Sequence, residues 1–115
     1  MRLLLDTQIA LWWQIQSRSV PTEARALIEA SEQGVYVSRV TLWEIAIKSA
    51  RGKLAIDLQQ FCERVVADGF EWLEISERHL LAVTTLPLDV DHKAPFDRLL
   101  AAQSLTEPLI LLTTD

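Results

Sequence analysis

Two aspartates stand directly after apolar runs, and there the sequence first offers chemistry. Asp6 follows Arg2-Leu3-Leu4-Leu5, and Asp115 follows Leu109-Ile110-Leu111-Leu112-Thr113-Thr114. If both runs are buried parallel strands, both acids lie at strand carboxyl ends, where open α/β sheets place their ligand crevice. Each acid alone is equally explained as a helix cap after a strand, a job Thr7 could also do. Glu44 sits between Trp43 and Ile45, off the apolar face set by Leu42, Ile45 and Ala46. Lys48, four residues on, offers it an ordinary helical ion pair. Asp97 opens a helical segment after Pro95-Phe96. There a carboxylate also profits from the helix dipole, or from Arg98.

Carboxylates held within a few ångströms repel, and some would take up protons unless a cation neutralises them. Mg²⁺ and Mn²⁺ prefer oxygen ligands, and a carboxylate-held ion can activate water and stabilise an in-line phosphoryl displacement. Other chemistries lack their signatures. There is no Gly-rich phosphate loop, no Walker lysine and no G-x-S-x-G elbow; Gly34, Gly52 and Gly69 all read as helix ends. Cys62 is the single cysteine, which excludes an intrachain disulfide and a cysteine zinc cluster. It reads as a small buried hydrophobe, and His79 and His92 form no recognisable pair with it. Spacing by itself does not show that the four acids meet.

The elements that must position them alternate. Residues 2–5 read as a strand, 7–14 as a helix, 17–20 as a loop, and 21–33 as a helix with Pro21 in its first turn. Val35 to Ser38 is β-branched and aromatic, hence a strand. Residues 40–51 form a helix stopped by Gly52, 54–58 an extended link, and 58–68 a helix capped by Asp57 and stopped by Gly69. Residues 70–75 read as a strand whose Glu71 and Glu74 place it at a sheet edge. Ser76 caps a helix to about Thr85, residues 87–95 are irregular, and 96–107 are helical. Leu109 to Leu112 is a last strand which, like the first, is uninterrupted Leu and Ile and is expected to be central. Trp12, Trp13 and Trp43 could serve the core or an interface; aromatics at helical spacing are more often core, and core is expected. Short connections between alternating strands and helices imply one domain over residues 1–115, a three-layer α/β/α fold with a mainly parallel sheet.

Half of the 115 residues are hydrophobic, 23% are charged, and the net charge is −5. That is a globular profile with no apolar run near the ~20 residues of a membrane span, and a cytoplasmic protein is expected. The acidic balance weighs against tight, metal-free binding of nucleic acid. Removing four site acids from the net charge of −5 leaves −1 for the remainder. Lys48, Arg51, Lys53, Lys93 and Arg98 are then available to line a nucleic-acid groove, or are an ordinary solvated set.

Four segments, LLLDT (3–7), TLWEIAIK (41–48), PFDRLLAAQ (95–103) and LILLTTD (109–115), together resemble the PIN domain family along the whole chain. The likeness is to bacterial toxins of the VapC type, in the subgroup with a Trp-Trp pair (here Trp12 and Trp13) in the first helix. The first motif is weakly specific; W-E-I-A-I-K followed by R-G-K-L, and P-F-D-R-L-L-A-A-Q, are much more so. The resemblance implies a compact parallel α/β/α fold and a Mg²⁺- or Mn²⁺-dependent ribonuclease. Its acids map onto Asp6, Glu44, Asp97 and Asp115, the first and third as main metal ligands and the other two completing the site. Thr7 and Thr113 or Thr114 would orient carboxylates or water. Toxins of this type pair with a small antitoxin and commonly form homodimers. Where relatives often carry an extra acid before Pro-Phe-Asp, this chain has Ala94, and His92 is expected to order that loop. Relatives usually continue past the last aspartate with a short helix and an edge strand. A shortened C-terminal end, an unpaired sheet edge and a site carboxylate on the last residue are therefore expected. Two functions compete: a metal-dependent endoribonuclease, and a weak or silent PIN-fold module that binds RNA or a protein without cutting.

Overall fold

The computed structural model describes residues 1–87 and 95–114. Most of the irregular segment expected over 87–95, with His92, Lys93 and Ala94, and the terminal Asp115 lie outside the described residues. The described elements run β1 (Leu3–Leu5), α1 (Thr7–Ile15), α2 (Thr22–Ala30), β2 (Val35–Ser38), α3 (Arg39–Ala50), α4 (Leu58–Ala67), β3 (Glu71–Leu73), α5 (Glu77–Ala82), α6 (Pro95–Thr106) and β4 (Ile110–Leu112). Short 3₁₀ turns cover Ser17–Ser19 and Val83–Thr85. The strands form one parallel sheet in the order β3-β2-β1-β4, with Leu5 level with Val37 on one side and Leu112 on the other.

Alternation along these short strands feeds two cores, because successive side chains leave opposite faces of a sheet. Leu3, Leu5, Val35, Val37 and Leu112 pack under α1, α2 and α4 through Ile9, Ile28, Phe61 and Val65. Leu4 leaves the other face and packs with Val40, Leu99, Leu100 and Leu109. Both faces of β1 are therefore covered, as a parallel strand requires. The caps follow sequence chemistry. Asp57 accepts from Gln60 N, Ser38 from Val40 N, and Ser76 from His79 N. Gly52 and Gly69 end α3 and α4 at φ +73° and +81°, a left-handed conformation costly for any residue with a Cβ.

Three expectations need correction. β4 is not central: among the described residues it forms the sheet edge beside β1, and Ile110 is exposed. Trp43 is not a core residue; it is 52% exposed, and its ring meets that of Phe96 edge-on, centroids 4.8 Å apart. Trp12 and Trp13 do pack on the main core, partly buried. Cys62 is a free thiol of intermediate exposure rather than a fully buried one. No described helix is long and apolar enough to cross a membrane.

Candidate active site

At the carboxyl ends of β1 and β4 the chain leaves the sheet and opens a cleft of about 170 Å³. Asp6, Thr7, Glu44, Lys48, Asp97, Thr113 and Thr114 line it, with Gln8, Leu11, Leu100 and Leu111 completing the walls. Four elements supply these side chains. Asp6 ends β1 and caps α1, Glu44 and Lys48 stand on α3, Asp97 lies in the first turn of α6, and the threonines follow β4. Three acids distant in sequence thus line one cleft; Asp115 lies outside the described residues.

The carboxylate of Asp6 does two things at once. Its Oδ1 accepts from Ile9 N at 2.8 Å, the ordinary capping bond, and its Oδ2 accepts from Thr114 N at 3.3 Å. The capping explanation therefore holds, and it leaves Asp6 on the cleft wall rather than removing it. The backbone also ties the two strand ends, Asp6 N donating to Leu112 O at 3.0 Å.

Glu44 is held from two sides. Its Oε1 accepts from the Thr7 hydroxyl at 2.7 Å, and its Oε2 lies 2.9 Å from Lys48 Nζ. Because the Thr7 proton points at Glu44, the Thr41 hydroxyl 3.2 Å away must donate to Thr7. The helical ion pair read from the sequence exists, and it lies inside the cleft. Glu44 is 13% exposed there and Lys48 48%.

The cation set divides. Lys48 lines the acid cleft. Arg51 and Lys53 are exposed in the turn after α3. Arg98 points away: it lines a separate apolar groove with Trp43, Leu80, Val83, Pro95 and Leu99, its guanidinium 3.4 Å from Val83 O. Gln8 was not anticipated. It follows Thr7 in the first turn of α1, where a polar residue carries no signal of its own.

The groups in the cleft able to ligate a cation offer oxygen, with no thiolate or imidazole among the described residues there. That suits Mg²⁺ or Mn²⁺ better than softer ions. Among the described residues no three His, Cys, Asp or Glu side chains stand together as a ready metal-binding group. This is compatible with Mg²⁺, which keeps several waters and takes only one or two carboxylates. The cleft has room for them, since each water needs about 10–15 Å³ of such volume.

The PIN domain profile matches residues 3–115. Among solved structures, a toxin–antitoxin complex from Klebsiella pneumoniae is similar at TM-score 0.62 and 21% identity, covering 98% of this chain and 86% of that one. VapBC2 from Rickettsia felis, solved bound to a DNA fragment from its promoter, is similar at TM-score 0.69 and 16% identity, covering 100% and 89%. At these identities the likeness is one of fold. No curated protein gives a significant match.

Proposed function

The chain belongs to the PIN domain family, and from that membership together with its acid cleft we propose that it is a divalent-metal-dependent endoribonuclease, the toxin half of a toxin–antitoxin pair. The observation that carries this reading is the meeting of Asp6, Glu44 and Asp97 on one cleft at the strand carboxyl ends. Asp6 and Asp97 would hold Mg²⁺ or Mn²⁺ directly, with Asp115 as a further ligand. A bound ion of this kind lowers the pKa of a water and neutralises charge in an in-line displacement at phosphorus. Glu44 would act through water, because Thr7 and Lys48 already engage both its oxygens. Thr7 fixes the Glu44 carboxylate, and Thr114 N does the same for Asp6. Thr113 would orient water beside them.

Lys48 is the cation best placed to meet a backbone phosphate, with Arg51 and Lys53 further along the same helix end. Arg98, facing the apolar groove, is the weakest of the four proposed RNA contacts. A small antitoxin that covers the cleft, a homodimer and a cytoplasmic site of action complete the reading. The relatives solved as toxin–antitoxin complexes support the antitoxin. A PIN-fold module that binds RNA or protein without cutting is the second reading. What favours it is that Lys48 already neutralises one of the acids and that no three described carboxylates close on a single point.

Incubation with structured RNA in Mn²⁺ separates the two. The nuclease cleaves, stops in chelator, and loses at least about 100-fold in rate as Asp6→Asn or Asp97→Asn, a loss of the size expected for removed charge stabilisation. Retention of intact RNA by folded wild-type protein would leave the binding module as the function.

A further inference from the structure

Away from the acid cleft, a fully buried polar chain crosses the second core. Gln103, 0% exposed near the C-terminal end of α6, satisfies its carboxamide with partners from three other segments of the chain. Its Oε1 accepts from the Ser38 hydroxyl at 2.5 Å, at the junction of β2 and α3. Its Nε2 lies 3.2 Å from both Glu74 O and His79 Nδ1. His79, 2% exposed, also accepts from Ser76 N through Nδ1 and reaches Glu107 Oε2 at 2.7 Å through Nε2. The Ser76 N–H, which can only donate, leaves no room for a proton at Nδ1. The ring is therefore the Nε2–H tautomer, donating to Glu107. The orientation of Gln103 is fixed in turn, since a flipped carboxamide would set its oxygen against two acceptors.

The chemistry at the cleft depends on how α6 lies against α3. Asp97 stands six residues before Gln103 on α6, and Glu44 six residues after Ser38 on α3. At 1.5 Å per residue each acid is about 9 Å along its helix from the Ser38–Gln103 bond. Apolar contacts tolerate axial sliding, but a buried hydrogen-bonded carboxamide accepts one register, since any slip leaves several groups unsatisfied.

We propose that Gln103 is a positioning residue: its bond to Ser38 sets the register of α6 on α3 and so the place of Asp97 across from Glu44. The effect on cleavage rests on the nuclease reading; the register itself does not. Trp43 on α3 and Phe96 on α6, edge-on at 4.8 Å, report it directly. With 5-fluorotryptophan in the whole chain, the Trp43 fluorine signal carries the ring-current shift of Phe96. Gln103→Met is expected to lose that shift and to weaken Mn²⁺ binding by about 10–100-fold, as lost outer-shell support does. The fall in activity is expected in kcat, with KM for RNA within about twofold. Ser38→Gly spares most of the capping energy, breaks the same bond and should reproduce the pattern even if Gln103→Met does not fold. Val65→Ala, buried on the opposite face of the sheet, destabilises the protein while keeping both the shift and the Mn²⁺ affinity. An unchanged Trp43 signal in Gln103→Met or Ser38→Gly, or an equal loss in Val65→Ala, overturns the proposal. Wild-type protein that neither binds Mn²⁺ nor cleaves RNA overturns the nuclease reading instead, and the fluorine shift still decides the register.

Discussion

Removing the Thr7 hydroxyl asks what holds Glu44 in the cleft. Thr7→Val keeps the side-chain shape and deletes the donor that lies 2.7 Å from Glu44 Oε1. A hydrogen bond to a charged acceptor contributes about 1.5–3 kcal/mol. Here the acceptor is only 13% exposed, so water replaces the lost donor poorly. The Thr41 hydroxyl, fully buried, also loses its acceptor, but a helical threonine can turn to the carbonyl one turn back and recover most of that cost. The expected loss is about 2 kcal/mol, or roughly 8 °C in Tm for a chain of this size. The competing anchor is weaker. Lys48 is 48% exposed and pairs at i,i+4, a geometry that contributes only about 0.3–0.5 kcal/mol. Urea unfolding of single and double variants with Glu44→Ala, which removes the acceptor and the charge together, isolates each pair. The Thr7–Glu44 coupling should be about 1–2 kcal/mol and the Lys48–Glu44 coupling below about 0.5 kcal/mol. Thr7→Ser, which keeps a hydroxyl, should retain most of the coupling. If Lys48→Ala couples to Glu44 more strongly than Thr7→Val does, the assignment of Thr7 as the residue that fixes this carboxylate is wrong.

Asp6→Asn should leave stability within about 0.5 kcal/mol, because Asn caps helices as well as Asp, whereas Asp6→Ala should cost about 1 kcal/mol; thermal melts of both, beside their cleavage rates, separate the capping from the catalytic duty. Leu4→Ala opens a cavity among Val40, Leu99, Leu100 and Leu109 and should cost about 2–5 kcal/mol by urea denaturation. Gly52→Ala places a Cβ at φ +73° with open space around it, so only backbone strain opposes it. Roughly 1–2 kcal/mol is expected in the same assay, and a smaller value would mean that the turn relaxes.

Much of the fold could be read along the chain because local signals agreed with one another. The β-branched run at Val35–Ser38, the caps Asp57 and Ser76, and the stops Gly52 and Gly69 each mark a boundary through its own backbone chemistry. The charges of Glu71 and Glu74 correctly mark β3 as an edge strand. What misled was apolar content taken as a measure of burial. Leu109–Leu112 reads as central, yet Ile110 projects from an edge, and composition does not say how many neighbours a strand has. Trp43, preferred as core, is half exposed for a similar reason: an aromatic at helical spacing carries no sign of which neighbour covers it. At the site, the Glu44–Lys48 pair and the Asp6 cap were visible as bland alternatives, and both are real and lie on the cleft wall. The bonds from Thr7 to Glu44 and from Ser38 through Gln103 to His79 span 37, 65 and 24 residues, so no local window contains both partners.

The central claim is that Asp6, Glu44 and Asp97 share one cation site. Crystals of the wild-type protein soaked in Mn²⁺ and measured at the manganese absorption edge test it most directly. An anomalous peak is expected in the cleft within about 2.0–2.3 Å of carboxylate oxygens of Asp6 and Asp97, with Glu44 reaching it through water, and no such peak in Asp97→Asn. A cleft that stays without a peak at saturating Mn²⁺, or manganese bound only elsewhere on the surface, would contradict it.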